Sequence, residues 1–134
     1  MAIILLTEDD SSLRTFLTRA LERAGHRVVQ AEDAYAALPH LEAGGIELLL
    51  TDIVMPGMDG IELAQRARGL YPDLPIMFIT GFAAVALSRT DAPSNTRLLS
   101  KPFHLRELVA EIAAMFPGGP SGPGGESGPA QDPA

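Results

Sequence analysis

Short apolar runs alternate along the chain with stretches in which apolar residues recur every three or four positions, and this alternation limits the possible folds most. The runs are typical of strands buried on both faces, whereas the periodic stretches are typical of amphipathic helices. Five strands and five helices in alternation predict a five-stranded parallel sheet, because parallel neighbours need a crossover connection and a helix supplies it. Since such crossovers are right-handed, helices are expected on both faces. The predicted fold class is therefore α/β, doubly wound.

The boundaries of these elements follow from local signals. Strands are predicted at residues 3–6, 27–31, 46–51, 75–80 and 98–100. Asp10, Ser11 or Ser12 is expected to cap a first helix that Gly25 ends, and later helices are predicted near residues 34–43, 61–67, 83–89 and 105–116. Pro39 removes a backbone donor inside the second helix, so a kink or a late start is expected there.

The last eighteen residues, 117–134, differ in composition from the rest of the chain. Six are glycine and five are proline, so they are expected to form a disordered tail after a single domain of residues 1–116. The net charge of −7 disfavours nucleic acid as a partner, and the lack of cysteine excludes disulfides and thiolate metal sites. Because no apolar run approaches the ~18 residues of a membrane span, a soluble, cytoplasmic protein is expected.

Charged and hydroxyl side chains follow the predicted strands. Residues 8–10 are acidic and come after the first strand, Asp52 follows the third, Thr80 ends the fourth and Lys101 follows the fifth. Taken alone, each has a simpler explanation as a helix cap, a turn residue or a solvated charge. In an open parallel sheet, however, the carboxyl ends of the strands gather functional groups at one edge. The fold therefore predicts that these residues converge.

Converging carboxylates need a cation. At ~4 Å separation each pair repels by ~4 kcal/mol at an effective dielectric of 20. Lys101 supplies one positive charge, and a bound divalent metal ion could supply two more. A set of oxygen ligands favours Mg²⁺ over zinc as that ion. A carboxylate beside Mg²⁺ and a lysine is also a plausible nucleophile toward phosphorus, with Thr80 available to bind a phosphoryl oxygen.

This order of residues resembles the receiver domain of bacterial two-component response regulators, the CheY-like family. The resemblance covers residues 2–116 and rests on Glu8 and Asp9, Asp52, residues 55–60, Thr80 and residues 101–103. It implies the strand order 2-1-3-4-5 and a phosphoryl group accepted on Asp52 from a histidine kinase or a histidine phosphotransferase. It also implies a protein that catalyses only its own phosphorylation and dephosphorylation, and is not otherwise an enzyme.

The resemblance assigns further roles residue by residue. Asp9 and Asp52 would hold Mg²⁺ directly, Glu8 would act through water, and the backbone carbonyl of Val54 would complete the protein ligands. Thr80 and Lys101 would bind phosphoryl oxygens.

Two further features follow from the same resemblance. The Lys101-Pro102 peptide bond is expected to be cis. Val54 and Phe82 would flank the path of the hydrolytic water, and since both are apolar, self-dephosphorylation should be slow.

The sequence departs from the family pattern in two places. Leu98 stands where many members have an aromatic switch residue, which argues against an aromatic swing as the output device. The polar residues 91–95 curtail the predicted fourth helix, on a face that commonly engages partners.

A finer resemblance concerns residues 51–56, 76–87 and 99–105, which are similar to the CpdR group of alphaproteobacterial single-domain regulators. Members of that group are adaptors that prime the ClpXP protease, and phosphorylation switches them off. The leading hypothesis is therefore a single-domain response regulator with this output. Two alternatives stay open: a phosphorylation-independent scaffold, and a phosphatase or phosphotransferase with Asp52 as nucleophile. The second lacks a general acid, because Val54 stands where related enzymes have one.

Other conspicuous residues are given structural roles. His26, His40 and His104 lack ligand spacing and are expected to be solvated or to cap helices. The aromatic residues expected in the core are Phe16, Phe78 and Phe103. The arginines expected to form a solvated helix face are Arg14, Arg19 and Arg23.

Overall fold

The computed structural model describes residues 1–80, 96–101 and 104–116. Within these residues, five parallel strands form one sheet in the order β2-β1-β3-β4-β5. The strands are β1 Ile3–Thr7, β2 Arg27–Ala31, β3 Leu48–Asp52, β4 Ile76–Thr80 and β5 Thr96–Ser100. The described helices are α1 Ser11–Arg23, α2 Ala34–Ala43, α3 Gly60–Leu70 and α4 Leu105–Met115. The predicted fold class and strand order are confirmed, while the helix predicted at 83–89 lies outside the described residues.

Aspartates begin three of these helices. The carboxylates of Asp10, Asp33 and Asp59 each accept a hydrogen bond from the backbone N–H three residues later, at 3.1, 2.7 and 2.9 Å. Each bond satisfies one donor that the first helical turn leaves without a partner, which stabilises the helix start by ~1 kcal/mol. Of the three predicted candidates, Asp10, Ser11 and Ser12, the residue that caps α1 is therefore Asp10.

The core has two layers, one on each face of the sheet. Successive residues of a strand point to opposite faces, so Leu5 and Leu49 pack beneath α2 and α3, whereas Leu6 and Leu50 pack beneath α1 and α4. All four side chains are fully buried. Full burial of such a side chain contributes roughly 1.5–3 kcal/mol, so these central strands anchor the edge that carries the charged residues. No helix in the described part of the chain is long and apolar enough to span a membrane.

Several local expectations were wrong. β3 begins at Leu48, two residues later than predicted. Glu47, just before it, contacts the start of β1: its N–H donates to the Ile3 carbonyl at 2.8 Å, and its carboxylate accepts from the Ile3 N–H at 2.9 Å. α2 spans Ala34–Ala43, the predicted bounds, with Pro39 inside it; a late start is therefore excluded, and the kink stays a prediction.

The expected core position of Phe16 was also wrong. Leu17 and Leu21 fill the centre of the buried stripe of α1, and Phe16, one position earlier, lies about 100° around the helix and is 56% exposed. Phe78 is buried as expected, and Phe103 lies outside the described residues.

The expected solvation of His26 was wrong as well. Its side chain is buried after α1, and its Nδ1 accepts a hydrogen bond from the Ala2 N–H at 3.1 Å.

Candidate phosphorylation site

The carboxyl ends of the central strands bring the acidic residues together. Glu8 and Asp9 directly follow β1, and Asp52 is the last residue of β3. The two strands are neighbours, with Thr7 in register with Thr51. Carboxylate oxygens of Glu8, Asp9 and Asp52 all lie within 4.8 Å of one another. The convergence predicted from the sheet edge is therefore present in the structure.

Burial differs among these three acids. Glu8 is 1% exposed and Asp52 is 6% exposed, whereas Asp9 is open to solvent. Asp9 is therefore the acid of this cluster that solvent reaches most freely.

Lys101 joins the cluster from the far strand. β5 ends at Ser100, and the N–H of Lys101 donates to the Thr80 carbonyl at 2.7 Å, which continues the β4–β5 ladder by one residue. The Lys101 Nζ lies 3.1 Å from Asp52 Oδ2 and 3.5 Å from Glu8 Oε1. Thr80 is fully buried at the end of β4, the strand that separates Lys101 from β3.

Lys101 lies among three acids, and burial acts on the pKa values of both Glu8 and Lys101. Burial raises the pKa of Glu8 to about 7; the nearby charge of Asp52 adds to the rise, while the Asp10 N–H and the Lys101 ammonium oppose it. For Lys101, burial alone would lower the pKa, but its hydrogen bond to Asp52 and the charges of Asp52 and Glu8 outweigh burial and raise it. The site thus gathers three acidic groups around one ammonium, and an all-oxygen donor set of this kind fits Mg²⁺.

Neighbouring residues form hydrogen bonds with both the backbone and the side chain of Asp52. Its carbonyl oxygen accepts from the Thr51 hydroxyl at 2.8 Å, and its Oδ1 accepts from the Val54 N–H at 3.4 Å. The start of α3 abuts the same strand end, where the Gly60 N–H donates to the Ile53 carbonyl at 2.8 Å. A Cβ on Gly60 would overlap the carbonyl oxygen of Asp52. Close contact between α3 and β3 thus fixes the position of the proposed acceptor.

The remaining predicted site residues are distributed as follows. Val54 is 50% exposed beside Asp52, and Leu98 is 37% exposed on β5. Phe82 and Pro102 lie outside the described residues. The water-gating role of Phe82 and the cis Lys101-Pro102 bond therefore stay predictions, as do the individual roles assigned to Glu8, Asp9, Asp52, Val54, Thr80 and Lys101.

Two contacts around the site were missed by the sequence analysis. Arg14, predicted to lie on a solvated face, donates from Nη1 to the Glu8 carbonyl at 2.7 Å and so ties α1 to the acidic loop. Tyr35 of α2 packs against Gly57 in the loop that follows Asp52. The Arg14 contact spans only six residues but depends on the side chain turning back to a backbone carbonyl, whereas Tyr35 and Gly57 lie 22 residues apart.

The fold and the acidic edge together define a known class of protein. The sequence profile of the response regulator receiver domain matches residues 4–113, and the chain belongs to this family. It is 58% identical over 117 residues to the response regulator receiver protein CpdR of Brucella abortus (strain 2308), an alignment that covers 87% of this chain and 98% of that relative. Both resemblances predicted from the sequence, to the receiver family and to the CpdR group, are confirmed.

Solved structures agree with this assignment. The chemotaxis protein CheY4 of Vibrio cholerae matches with a TM-score of 0.77 at 27% identity, covering 85% of this chain and 98% of that one. The response regulator TrrA of Thermotoga maritima, solved in complex with Mg²⁺-BeF, matches with a TM-score of 0.78 at 26% identity, covering 86% of this chain and 99% of that one. The fold is therefore that of a CheY-like receiver.

Proposed function

We propose that this protein is a phosphorylation switch that accepts a phosphoryl group on Asp52 from a histidine kinase or a histidine phosphotransferase. The observation that carries the proposal is the position of Asp52: it is nearly buried, yet it lies within 4.8 Å of two other acids and 3.1 Å from the Lys101 ammonium. A purely structural carboxylate would not need two like charges beside it. Receiver domains as a family are switches of this kind and not conventional enzymes.

The chemistry follows from the groups at the sheet edge. A carboxylate oxygen of Asp52 attacks phosphorus and forms an O–P bond, while the P–N bond to the donor imidazole breaks and its electron pair stays on the departing nitrogen. The Lys101 ammonium and the Thr80 hydroxyl bind the phosphoryl oxygens where charge concentrates. Mg²⁺, when held by Asp9, Asp52, the Val54 carbonyl and Glu8 through water, would supply further neutralisation of that charge.

Specific labelling of Asp52 tests the proposal. Wild-type protein should take up a phosphoryl group from acetyl phosphate only when Mg²⁺ is present, and mass spectrometry should place it on Asp52. Asp52→Ala should fold normally but stay unlabelled, because the substitution relieves repulsion while it removes the nucleophile. Asp73→Ala is the matched control, since Asp73 is an exposed acid before β4, at the opposite edge of the sheet. Labelling of Asp52→Ala at wild-type level would refute the assignment.

The output is proposed to be proteolytic control in the cytoplasm, with neither nucleic acid nor membrane as a partner. Support comes from the 58% identity to CpdR over nearly all of that relative. In this proposal the unphosphorylated form is an adaptor that binds the ClpXP protease, and phosphorylation lowers the affinity. Such control requires a difference in affinity between two conformations. Equal binding of both forms to the protease in a titration would exclude this mode of control.

The phosphoryl group is proposed to be long-lived. The Val54 side chain is half exposed beside Asp52. Because it is apolar, it cannot orient or deprotonate a water molecule, and the phenyl group of Phe82 cannot do so either. Val54→Asn and Phe82→Glu, singly and together, should accelerate loss of the phosphoryl group in Mg²⁺. If neither change alters the half-life, these side chains do not control access of water.

A further inference from the structure

An aromatic ring of α2 covers the loop that leads away from Asp52. A Cβ on Gly57 would lie 2.7 Å from Cε2 of Tyr35 and 3.3 Å from its hydroxyl oxygen, so the ring rests directly on the glycine backbone. Gly57 has a φ of +80°, which other residues rarely adopt. The contact therefore depends on glycine for two independent reasons, space and backbone conformation.

The rest of this loop is anchored from below. Met55 and Met58 are 6% and 4% exposed and belong to the core layer beneath α2 and α3. Between them, Pro56 and Gly57 are exposed, and Gly57 has no side chain with which to bind the core. Tyr35 thus holds the top of the loop, while the two methionines hold its base.

The position of this loop affects the proposed metal site. Val54, whose carbonyl is a proposed Mg²⁺ ligand, lies between Asp52 and the anchored Met55, and its N–H donates to Asp52 Oδ1 at 3.4 Å. A displacement of residues 55–57 would be transmitted directly to that peptide. Groups that hold metal ligands in place commonly change metal affinity by about 10–100-fold when they are removed.

From this geometry we propose that Tyr35 is a positioning residue for the phosphorylation site. Its ring fixes the loop of residues 54–58, so that the Val54 carbonyl would be held in place before a metal binds. This inference rests on the proposed function, since it concerns the same Mg²⁺ and phosphoryl site. Tyr35 is 57% exposed, and exposed apolar surface ordinarily indicates a site that binds a partner. In this proposal the ring of Tyr35 instead acts within the domain, on the loop of residues 54–58.

The first test needs neither metal nor phosphodonor. Hydrogen exchange of a peptide covering residues 53–59 should become faster in Tyr35→Ala than in wild type, in Mg²⁺-free buffer. Tyr35→Phe should exchange as wild type does, because it keeps the ring. Phe16→Ala is the matched control, since Phe16 is a helix aromatic with almost the same exposure, 56%, and it has no part in the loop. Unchanged exchange in Tyr35→Ala would overturn the proposal.

The second test measures Mg²⁺ affinity by calorimetry. Tyr35→Ala should bind Mg²⁺ about tenfold more weakly, with Tyr35→Phe and Phe16→Ala close to wild type. Equal loss in Tyr35→Phe would assign the effect to the hydroxyl and would overturn a role for the ring. Different results would refute the two proposals. If wild type binds no Mg²⁺, the proposed function is refuted. If wild type and Tyr35→Ala both bind Mg²⁺ normally, only the role of Tyr35 is refuted.

Discussion

Asp9 is the exposed member of the acidic cluster, and its proposed role can be separated from that of a general negative charge. Asp9→Ala should weaken Mg²⁺ binding by at least about tenfold, or 1.4 kcal/mol, because the ion loses a direct carboxylate ligand. The measurement is the rise in the free energy of unfolding on adding Mg²⁺, which follows the ratio of free Mg²⁺ to its Kd. Asp73→Ala removes the same charge far from the cluster and should keep the full rise. An Asp9→Ala protein that Mg²⁺ stabilises as well as wild type would point to a different ligand set.

His26 gives the fold a pH dependence that is independent of the phosphorylation site. Burial lowers the pKa of His26 below 6.5, and the positive N-terminus adds to this shift. Between the lowered pKa and 6.5 the unfolded chain binds more protons than the folded one, so stability is present above pH 6.5 and falls as the pH drops below it. Protonation of Nδ1 would also turn the acceptor of the Ala2 N–H bond into a donor.

The corresponding measurement is urea unfolding between pH 7.5 and 5. His26→Asn should lose part of this pH dependence, because its amide oxygen can accept the same bond without titrating. His40→Asn changes an exposed histidine and should keep the dependence of wild type. A His26→Asn curve parallel to that of wild type would show that other groups cause the loss of stability in acid.

At the scale of elements, the contact between α3 and β3 links the fold to the site. Gly60→Ala should lower the free energy of unfolding by about 1–3 kcal/mol, because its Cβ would meet the Asp52 carbonyl and cannot be accommodated without moving β3 or α3. The same substitution should slow phosphorylation, since any such movement displaces Asp52.

Gly69 in the same helix is the matched control. A Cβ there would meet nothing within 4 Å, so Gly69→Ala should instead raise the free energy of unfolding, by up to about 1 kcal/mol. Equal effects at the two glycines would mean that helix propensity, and not the contact with Asp52, governs the response to Gly60→Ala.

Helices and strands could be predicted where the local sequence pattern and the packing of distant segments favour the same structure. The buried strands and the capping aspartate Asp10 follow from apolar runs and helix-start chemistry that are visible over a few residues. The sheet-edge rule then brought Glu8, Asp52 and Lys101 together without any knowledge of side-chain geometry. Glu47, whose carboxylate and N–H bind Ile3, could not be foreseen, because its partner lies 44 residues away. Tyr35 was missed for the same reason, since its contact with Gly57 depends on tertiary packing.

At the scale of the whole molecule, the receiver domain carries both the proposed site and the exposed surface of β5. The sheet links them: β3 carries Asp52, β4 ends in Thr80, and β5 leads to Lys101 and carries the half-exposed Leu98 on its surface. In the proposed switch, a phosphoryl group bound by Thr80 and Lys101 would act on β4 and on the edge strand β5. A leucine at position 98 has no polar group that could form a new hydrogen bond on inward rotation, so in the proposed switch the response of this surface would depend on displacement and packing.

Removal of residues 117–134 tests how much of the molecule this switch requires. Their composition, eleven glycines and prolines among eighteen residues, offers few apolar groups to offset the entropy of ordering them. We therefore expect a protein ending at Phe116 to unfold within about 0.5 kcal/mol of the full chain and to accept phosphoryl groups from acetyl phosphate at the same rate. Thermal unfolding and timed labelling of the two lengths provide the comparison, with the Asp52→Ala variant of each as the blank. Slower labelling of the shortened protein would show that residues 117–134 contribute to the site, and that the receiver does not function within residues 1–116 alone.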